Sequence, residues 1–219
     1  MMKFGLLTAI LDGWSFEEVV DIASQMGFKC LEVACWPAGK AERRYAGVSH
    51  IDCERVCQDD SYADYVKKLT SSKGLEISSL AFYPNTMDPD LEKRKAAIAH
   101  LKAVIRASAK LGVNMVTTFI GKDQHKTFEE NIELFRQIWP DIIALAEQCG
   151  VKVAIENCPM LFGADQWPGG QNLMCTPKIY RQLFEIIPSP NFGQPLRLAG
   201  AGLCEDHLRL LRPHFPRPL

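Results

Sequence analysis

Short apolar runs alternate five times with longer segments of helical periodicity along this chain. Alternation of this kind predicts parallel β-strands joined by helices that cover the faces of the sheet. The apolar runs predict strands at 3–10, 29–34, 76–82, 114–120 and 151–155. Helices are predicted at 15–27, 60–72, 89–111, 127–149 and 177–187. Pro140 lies inside the fourth of these helices and predicts a kink there.

Two architectures fit this alternation, an open doubly wound sheet and a (β/α)8 barrel. No glycine-rich phosphate-binding motif follows any predicted strand, which argues against a nucleotide-binding open sheet. Polar and aromatic residues instead follow strand after strand, and a site assembled from several strand ends is typical of a barrel. A complete barrel takes about 250 residues, whereas this chain has 219. We therefore predict an incomplete (β/α)8 TIM barrel, an α/β fold of about five βα units followed by an aberrant C-terminal tail.

The fifth predicted strand ends in a carboxylate. Its β-branched residues, bounded by Gly150 and Pro159, are typical of a parallel strand that is covered on both faces. Glu156 falls at the carboxyl end of that strand, where α/β proteins place their chemistry. An ionised carboxylate beside apolar residues needs a metal, a cation or hydrogen bonds to offset its desolvation. Glu156 is therefore a candidate metal ligand or proton-transfer base, and the alternative is an ion pair with a Lys or Arg of a neighbouring loop.

Charge and cysteine content exclude several classes of function. The net charge of -1 provides no basic surface for a nucleic acid or an anionic membrane. The eight cysteines form no CxxC pair, and a chain of this length without a secretory signal is not expected to depend on disulfides. No apolar stretch is long enough to span a bilayer. We predict a cytoplasmic protein with no nucleic-acid and no membrane partner.

The composition changes after Gly193. Residues 194–219 contain no Lys, Ile or Val, but they contain four Arg and four Pro. Two interpretations remain open: a genuine divergent C-terminus, and a segment translated in a shifted reading frame. The predicted domain organisation is a partial barrel at 1–193 followed by a divergent tail at 194–219.

The body of the chain resembles the sugar phosphate isomerase/epimerase family, whose fold is the xylose-isomerase-like TIM barrel. The resemblance covers about residues 2–193 and rests on seven segments of the sequence. These are LEVACWP at 31–37, RRYAGVSHID at 43–52, YPN at 83–85, TFIG at 118–121, IENCPM at 155–160, WPGG at 167–170 and IPSPNFG at 187–193. The resemblance implies an enzyme of carbohydrate metabolism that acts on a small-molecule sugar or sugar phosphate.

The resemblance also implies a divalent metal, which could be Mn²⁺, Mg²⁺, Co²⁺ or Zn²⁺. Its ligands would be a Glu after the fifth strand, an Asp or His pair from the sixth and seventh strands, and a second Glu after the eighth. Only Glu156 matches one of these positions, because the chain diverges at Gly193. The implied reaction moves a proton at a carbon next to a sugar carbonyl, with Glu156 as metal ligand and catalytic base. Whether this chain retains the metal is open.

Seven further residues are candidates for sugar binding, by residue type and by their positions after strands or in a long loop. Aromatic rings can stack on a sugar ring, amides can bond hydroxyl groups, and a Lys or His can receive a phosphate or a metal. For each residue the alternative is a structural role in packing, in a turn or on the solvated surface. The candidates are Trp36, His50, Tyr83, Asn85, Lys122, Asn157 and Trp167; Trp14, Arg44 and His125 are further candidates of the same types.

Two other functions remain open alongside the isomerase or epimerase. A truncated barrel that lacks most of its metal ligands is expected to be catalytically inactive. An endonuclease-like member of the same barrel group is disfavoured by the net charge of -1 and by the lack of a basic stripe. The unpaired edges of an incomplete barrel also favour association, so a homo-oligomer is an expected state.

Overall fold

The computed structural model of the protein describes residues 3–37, 47–158 and 170–193. Six strands are present in these residues: β1 (Gly5–Leu7), β2 (Cys30–Ala34), β3 (Glu76–Ala81), β4 (Met115–Thr118), β5 (Lys152–Ile155) and β6 (Phe192–Gly193). The helices are α1 (Phe16–Gln25), α2 (Cys53–Gln58), α3 (Asp60–Ser72), α4 (Leu91–Leu111), α5 (Phe128–Gln148) and α6 (Pro177–Ile186). A 3-10 turn at Thr8–Ile10 follows β1.

The strands form one sheet in the order β1-β2-β3-β4-β5-β6. β1 pairs with β2, β2 with β3, and β5 with β6, in each case parallel. The predicted α/β architecture is thus confirmed, and five βα units precede a sixth strand. A barrel of only five units would leave the outer edge of its fifth strand unpaired. This expectation is wrong for β5, because Val153 and Ala154 pair with Phe192 and Gly193.

Two elements differ from the sequence prediction. β1 is shorter than predicted because the Thr8 hydroxyl, and not a further strand residue, accepts the hydrogen bond from the Ala34 N–H at 2.9 Å. The short helix α2 occupies residues for which no element was predicted, and the carboxylate of Asp52 caps it by accepting a hydrogen bond from the Arg55 N–H. The chain bends into the helix at this carboxylate because it satisfies an N–H that has no partner within the helix.

Ser15 and Thr176 cap α1 and α6, at the starts expected from the sequence. Ser15 and Glu18 form a capping box in which each side chain accepts a hydrogen bond from the other residue's backbone N–H. The Thr176 hydroxyl accepts a hydrogen bond from Ile179, and Pro177 occupies the first helical position. α5 runs continuously through Pro140 to Gln148.

The chain divides into two compact units. The first comprises Met1–Tyr83, Ala99–Val116 and Cys149–Val151, and the second comprises Pro84–Ile98, Thr117–Gln148 and Lys152–Leu219. The predicted boundary between 1–193 and 194–219 stays a prediction, since the tail lies outside the described residues. Within the described ranges no helix is long and apolar enough to cross a membrane.

The core of the second unit is an aromatic cluster around Phe192. Its ring lies 6.1 Å from that of Phe135, 5.9 Å from that of Trp139 and 5.2 Å from that of Phe184. Trp139 is completely buried, and its indole N–H donates to the Thr86 hydroxyl at 3.1 Å. Offset and edge-to-face aromatic pairs stabilise a fold beyond the area that they bury. The cluster therefore anchors β6 beside β5.

We expect Phe192→Ala to lower the free energy of unfolding by about 3–5 kcal/mol, because it leaves a cavity among three aromatic rings. Phe4→Ala is the matched control, since the Phe4 side chain is 69% exposed and its loss should change stability by about 0.5 kcal/mol or less. Urea denaturation followed by circular dichroism measures both variants. Equal stability of the two variants would show that Phe192 does not anchor the sheet.

Candidate functional site

In the first unit, two aromatic candidates follow adjacent strands. Trp36 follows β2, is half-buried and meets the buried Phe82 edge to face, with ring centroids 4.9 Å apart. Tyr83 follows β3, and its hydroxyl donates a hydrogen bond to the carboxylate of Glu32 on β2. The structure thus holds both rings against β2 and β3 at the carboxyl ends of these strands, and their predicted contacts with a sugar stay predictions.

His50 is buried, and both of its ring nitrogens have partners within the first unit. Nε2 lies 3.2 Å from the carbonyl oxygen of Leu11, and Nδ1 lies 2.9 Å from the hydroxyl of Thr8. A carbonyl only accepts, so Nε2 carries the proton and the unprotonated Nδ1 accepts from Thr8. Burial lowers the pKa of His50, against the opposing effects of the Leu11 carbonyl and the Asp12 charge. The ring thus joins the turn after β1 to the chain that follows β2, and its predicted contact with a ligand stays a prediction.

In the second unit, Asn85 connects the loops that follow β3 and β4. Its side-chain oxygen accepts from the N–H of Lys122 at 2.9 Å, and its side-chain nitrogen donates to the Lys122 carbonyl at 2.9 Å. The same oxygen accepts from the Met87 N–H at 3.1 Å. Gly121 makes this close approach possible: its φ is +83°, and a Cβ there would lie 2.0 Å from the Asn85 oxygen. Asn85 therefore positions the backbone of Lys122, another predicted site residue.

Glu156 directly follows β5 and is half-exposed. Its N–H donates to the Thr118 carbonyl at 3.0 Å, and its carbonyl accepts from the side-chain amide of Asn172 at 3.1 Å. The fully buried Asn172 also donates to the Cys158 carbonyl at 2.7 Å. The backbone on both sides of the Glu156 side chain is therefore fixed, while the next residue, Asn157, is exposed.

Four ionisable groups of the second unit influence one another near the end of β5. Tyr180 donates its phenolic hydrogen to the Ile155 carbonyl at 3.3 Å. The pKa of Tyr180 is raised, first by burial and then by electrostatic repulsion from Cys175, when that thiol is ionised at high pH, and from Glu156. The pKa of the Cys175 thiol is raised by burial, although the Lys122 ammonium opposes this shift. Tyr180 and Cys175 are therefore neutral at pH 7.

Sequence reasoning missed Asn172, Cys175 and Tyr180. Their residue types recur throughout soluble proteins, and no motif singles them out; the signal available was their position soon after the WPGG segment. Among the further candidates, Trp14 is 45% exposed, and His125 is exposed. Trp167 and Arg44 lie outside the described residues.

The residues that the structure describes do not fit the metal site implied by the resemblance. Within 3–37, 47–158 and 170–193, no group of three or more His, Cys, Asp or Glu side chains is arranged to hold a metal ion. Divalent metals in proteins require several such ligands around one point. Glu156 is the one implied ligand that the described residues include.

The sequence profile of the xylose isomerase-like TIM barrel family matches residues 20–194 of the chain. This match spans most of the chain and takes in β2 to β6. The chain belongs to the xylose isomerase-like TIM barrel family. The family prediction made from the sequence segments is thereby confirmed. No curated protein matched the chain in a sequence search.

Several solved structures share the fold of this chain. D-psicose 3-epimerase from Clostridium cellulolyticum H10, crystallised with D-tagatose, aligns with a TM-score of 0.63. The probable 3-DHS dehydratase AsbF from Bacillus anthracis, involved in petrobactin synthesis, aligns at 0.62, and the IolI protein with a bound zinc atom aligns at 0.61. Each is 17% identical in sequence, and each alignment covers 88% of this chain and 62% of the other chain. The chain thus spans less than two thirds of the length of these proteins, and the likeness establishes the fold alone.

Gly121→Ala should lower the free energy of unfolding of this protein more than Gly112→Ala does. Both glycines have positive φ, which costs an alanine about 1–2 kcal/mol, but a Cβ at Gly112 meets nothing within 4 Å. A Cβ at Gly121 overlaps the Asn85 side chain, so this variant loses the bonds to Lys122 as well. Thermal unfolding of the two variants measures the difference. If both variants melt at the same temperature, the hydrogen bonds between Asn85 and the Lys122 backbone do not stabilise the protein.

The lowered pKa of His50 predicts a pH dependence of stability. The unfolded chain takes up a proton on His50 near the ordinary pKa of 6.5, whereas the folded protein keeps the ring neutral to lower pH. The free energy of unfolding should therefore fall as the pH drops from 6.5 toward the folded-state pKa, because the unfolded state binds more protons in that interval.

Urea denaturation at several pH values between 7 and 5 measures the slope of the free energy of unfolding against pH. This interval lies above the range in which most carboxylates titrate. His50→Gln should flatten the slope, and His125→Gln, which changes an exposed histidine, should preserve it. An unchanged slope in His50→Gln would contradict the assignment of a neutral His50.

Proposed function

We propose that this protein is an isomerase or epimerase of sugars or sugar phosphates that moves a proton at a carbon next to a carbonyl. One observation carries the proposal: Glu156 follows β5 directly, and hydrogen bonds to Thr118 and Asn172 fix its backbone on both sides. A catalytic base must be held at a constant position relative to the proton that it removes. Membership of the xylose isomerase-like family supports the same class of reaction.

The proposed chemistry begins with the Glu156 carboxylate. It takes the proton from the carbon next to the carbonyl, and the electron pair of the broken C–H bond passes into an enediolate. The protonated Glu156 then returns the proton to the former carbonyl carbon, while the hydroxyl proton of the enediolate moves from one oxygen to the other, and the two transfers together exchange an aldose and a ketose. Lys122 belongs to the same electrostatic group and is our candidate for stabilising the negative charge of the enediolate oxygen.

A single carboxylate favours isomerisation over epimerisation. Isomerisation can use one group on one face of the enediolate, whereas epimerisation at one carbon requires proton delivery from the opposite face. With Glu156 as its base the proposed reaction is complete as an isomerisation, and an epimerisation would need a second acid on the opposite face.

A divalent metal in such an enzyme would polarise the carbonyl and hydroxyl oxygens of the sugar. Because the described residues do not complete a metal site, we assign no step of the reaction to a metal. Asn157, which follows Glu156 in the second unit, remains our proposed contact for the substrate, and Asn85 acts through the loop that it positions. The sugar contacts of Trp36, His50, Tyr83 and Trp167 stay predictions from the sequence.

A second candidate function is sugar binding without turnover. It is favoured by the lack of a three-ligand metal group among the described residues. In that case Glu156 would accept hydrogen bonds from sugar hydroxyls and would exchange no carbon-bound proton.

We expect the purified protein in D₂O to exchange deuterium into the carbon next to the carbonyl of a ketose or ketose phosphate, as followed by proton NMR. Glu156→Gln should slow this exchange by about 100-fold or more, because it removes the base while keeping the side-chain shape. Glu129→Gln, at an exposed position in the first turn of α5, is the matched control and should retain the wild-type rate.

The measurement is made with and without added Mn²⁺, Mg²⁺, Co²⁺ or Zn²⁺. Saturable sugar binding without exchange under any of these conditions would favour the binding function. An exchange rate in Glu156→Gln equal to that of the wild type would remove Glu156 as the base.

A further inference from the structure

A cavity of about 230 Å³ lies in the first unit beside the end of β2. It is bounded by the segment after β2, by the start of α2 and by the middle of α4. The residues that line it are Trp36, Pro37, Asp52, Cys53, Glu54 and His100. Of these, only Trp36 is among the residues proposed to contact a sugar.

His100 presents an unused hydrogen-bond acceptor at this cavity. The residue is 9% exposed, and its Nε2 lies 2.9 Å from the Cys35 carbonyl oxygen. Since a carbonyl only accepts, Nε2 carries a proton, and in the neutral form of an imidazole the other nitrogen, Nδ1, then has a free lone pair. Nδ1 has no hydrogen-bond partner among the residues that the structure describes.

The unpartnered Nδ1 atom of His100 must reach open space. Every fully buried side-chain nitrogen and oxygen atom of the described residues has a hydrogen-bond partner, so an atom that lacks one is accessible. The cavity is the open space that His100 lines. A nearly buried acceptor of this kind is stabilised when a ligand donates a hydrogen bond to it.

The other polar groups around the cavity are also acceptors. One carboxylate oxygen of Asp52 accepts from the Arg55 N–H at 2.9 Å. The Glu54 carboxylate is exposed and has no ion pair or hydrogen bond within the described part of the chain. The thiol of Cys53 remains neutral, because hydrogen bonding to Cys35 and burial both raise its pKa.

The groups that line the cavity determine which charge and which hydrogen-bonding groups a ligand must have. Two carboxylates repel anions, and a lone pair on His100 together with carboxylate oxygens requires a ligand that brings hydrogen-bond donors. The indole of Trp36 adds an aromatic surface that attracts cations. A bare metal ion is disfavoured, since the described residues hold no group of three metal-ligating side chains.

We infer that this cavity is a binding site for a small organic cation that carries N–H donors, such as a protonated primary amine. Its N–H groups donate to Nδ1 of His100 and to the Glu54 carboxylate. The volume of about 230 Å³ corresponds to roughly seven or eight water molecules in the liquid. An amine of about four to eight non-hydrogen atoms therefore fits, and a drug-sized molecule does not.

The test uses ethanolammonium chloride as the probe and the full chain as the protein. We expect saturable binding by isothermal titration calorimetry, and Glu54→Gln should weaken it by about tenfold, because a hydrogen bond to a charged carboxylate is stronger than one to a neutral amide. Glu129→Gln is the matched control, with a similarly exposed Glu in the first turn of a helix, and should bind as the wild type does.

The ¹⁵N signal of Nδ1 in His100 provides a second readout, assigned by its loss in His100→Gln. It should move upfield as ethanolammonium binds, because the lone pair accepts a hydrogen bond, and it should not move with sodium chloride. Ethylene glycol, which is neutral, and tetramethylammonium, which has no N–H group, should each bind at least tenfold more weakly.

Three results would overturn the inference. These are the absence of saturable binding by the wild type, equal affinity of Glu54→Gln and Glu129→Gln, and equal affinity for ethylene glycol and ethanolammonium. None of these results depends on sugar isomerisation, so the cavity and the proposed function are tested separately.

Discussion

Side-chain amides that bind backbone groups hold together the loops on which the second unit depends. Asn85 bonds to both the N–H and the carbonyl of Lys122, and the completely buried Asn131 bonds to the N–H and the carbonyl of Asp123. Asn172 donates to the carbonyls of Glu156 and Cys158. A buried loop must pair its backbone polar groups, and an amide can donate and accept at once. These three side chains therefore give fixed positions to the residues that follow β3, β4 and β5.

The first unit uses histidines for the same purpose. His50 connects Thr8 to the Leu11 carbonyl, and His100 donates to the Cys35 carbonyl. In both rings the carbonyl partner fixes the proton on Nε2, so each Nδ1 is an acceptor. His50 satisfies its second nitrogen with Thr8, whereas His100 lines a cavity. The same residue type is thus a structural joint in one case and part of our proposed binding site in the other.

Electrostatics near β5 follow from burial as much as from charge. Tyr180 and Cys175 have raised pKa values mainly because burial disfavours their charged forms. They therefore contribute no charge at neutral pH. The proton transfer proposed above needs a base at a constant position, and the backbone hydrogen bonds of Glu156 to Thr118 and Asn172 would hold its carboxylate in this way.

The sequence by itself determined the alternating α/β architecture, the caps at Ser15 and Thr176, and the position of Glu156 at the end of β5. These features depend on apolar periodicity and on contacts between residues a few positions apart, which a linear sequence contains. The tertiary structure alone decided that β6 pairs with β5, that His50 bonds to Thr8 and that Asn172 holds the loop at Glu156. These partners are 16 to 42 positions apart in the hydrogen-bonded pairs, and sheet register and helix packing bring them together. Residue type could name His50 and Asn85 as polar candidates, but only their neighbours in space determined which of their atoms are already bonded.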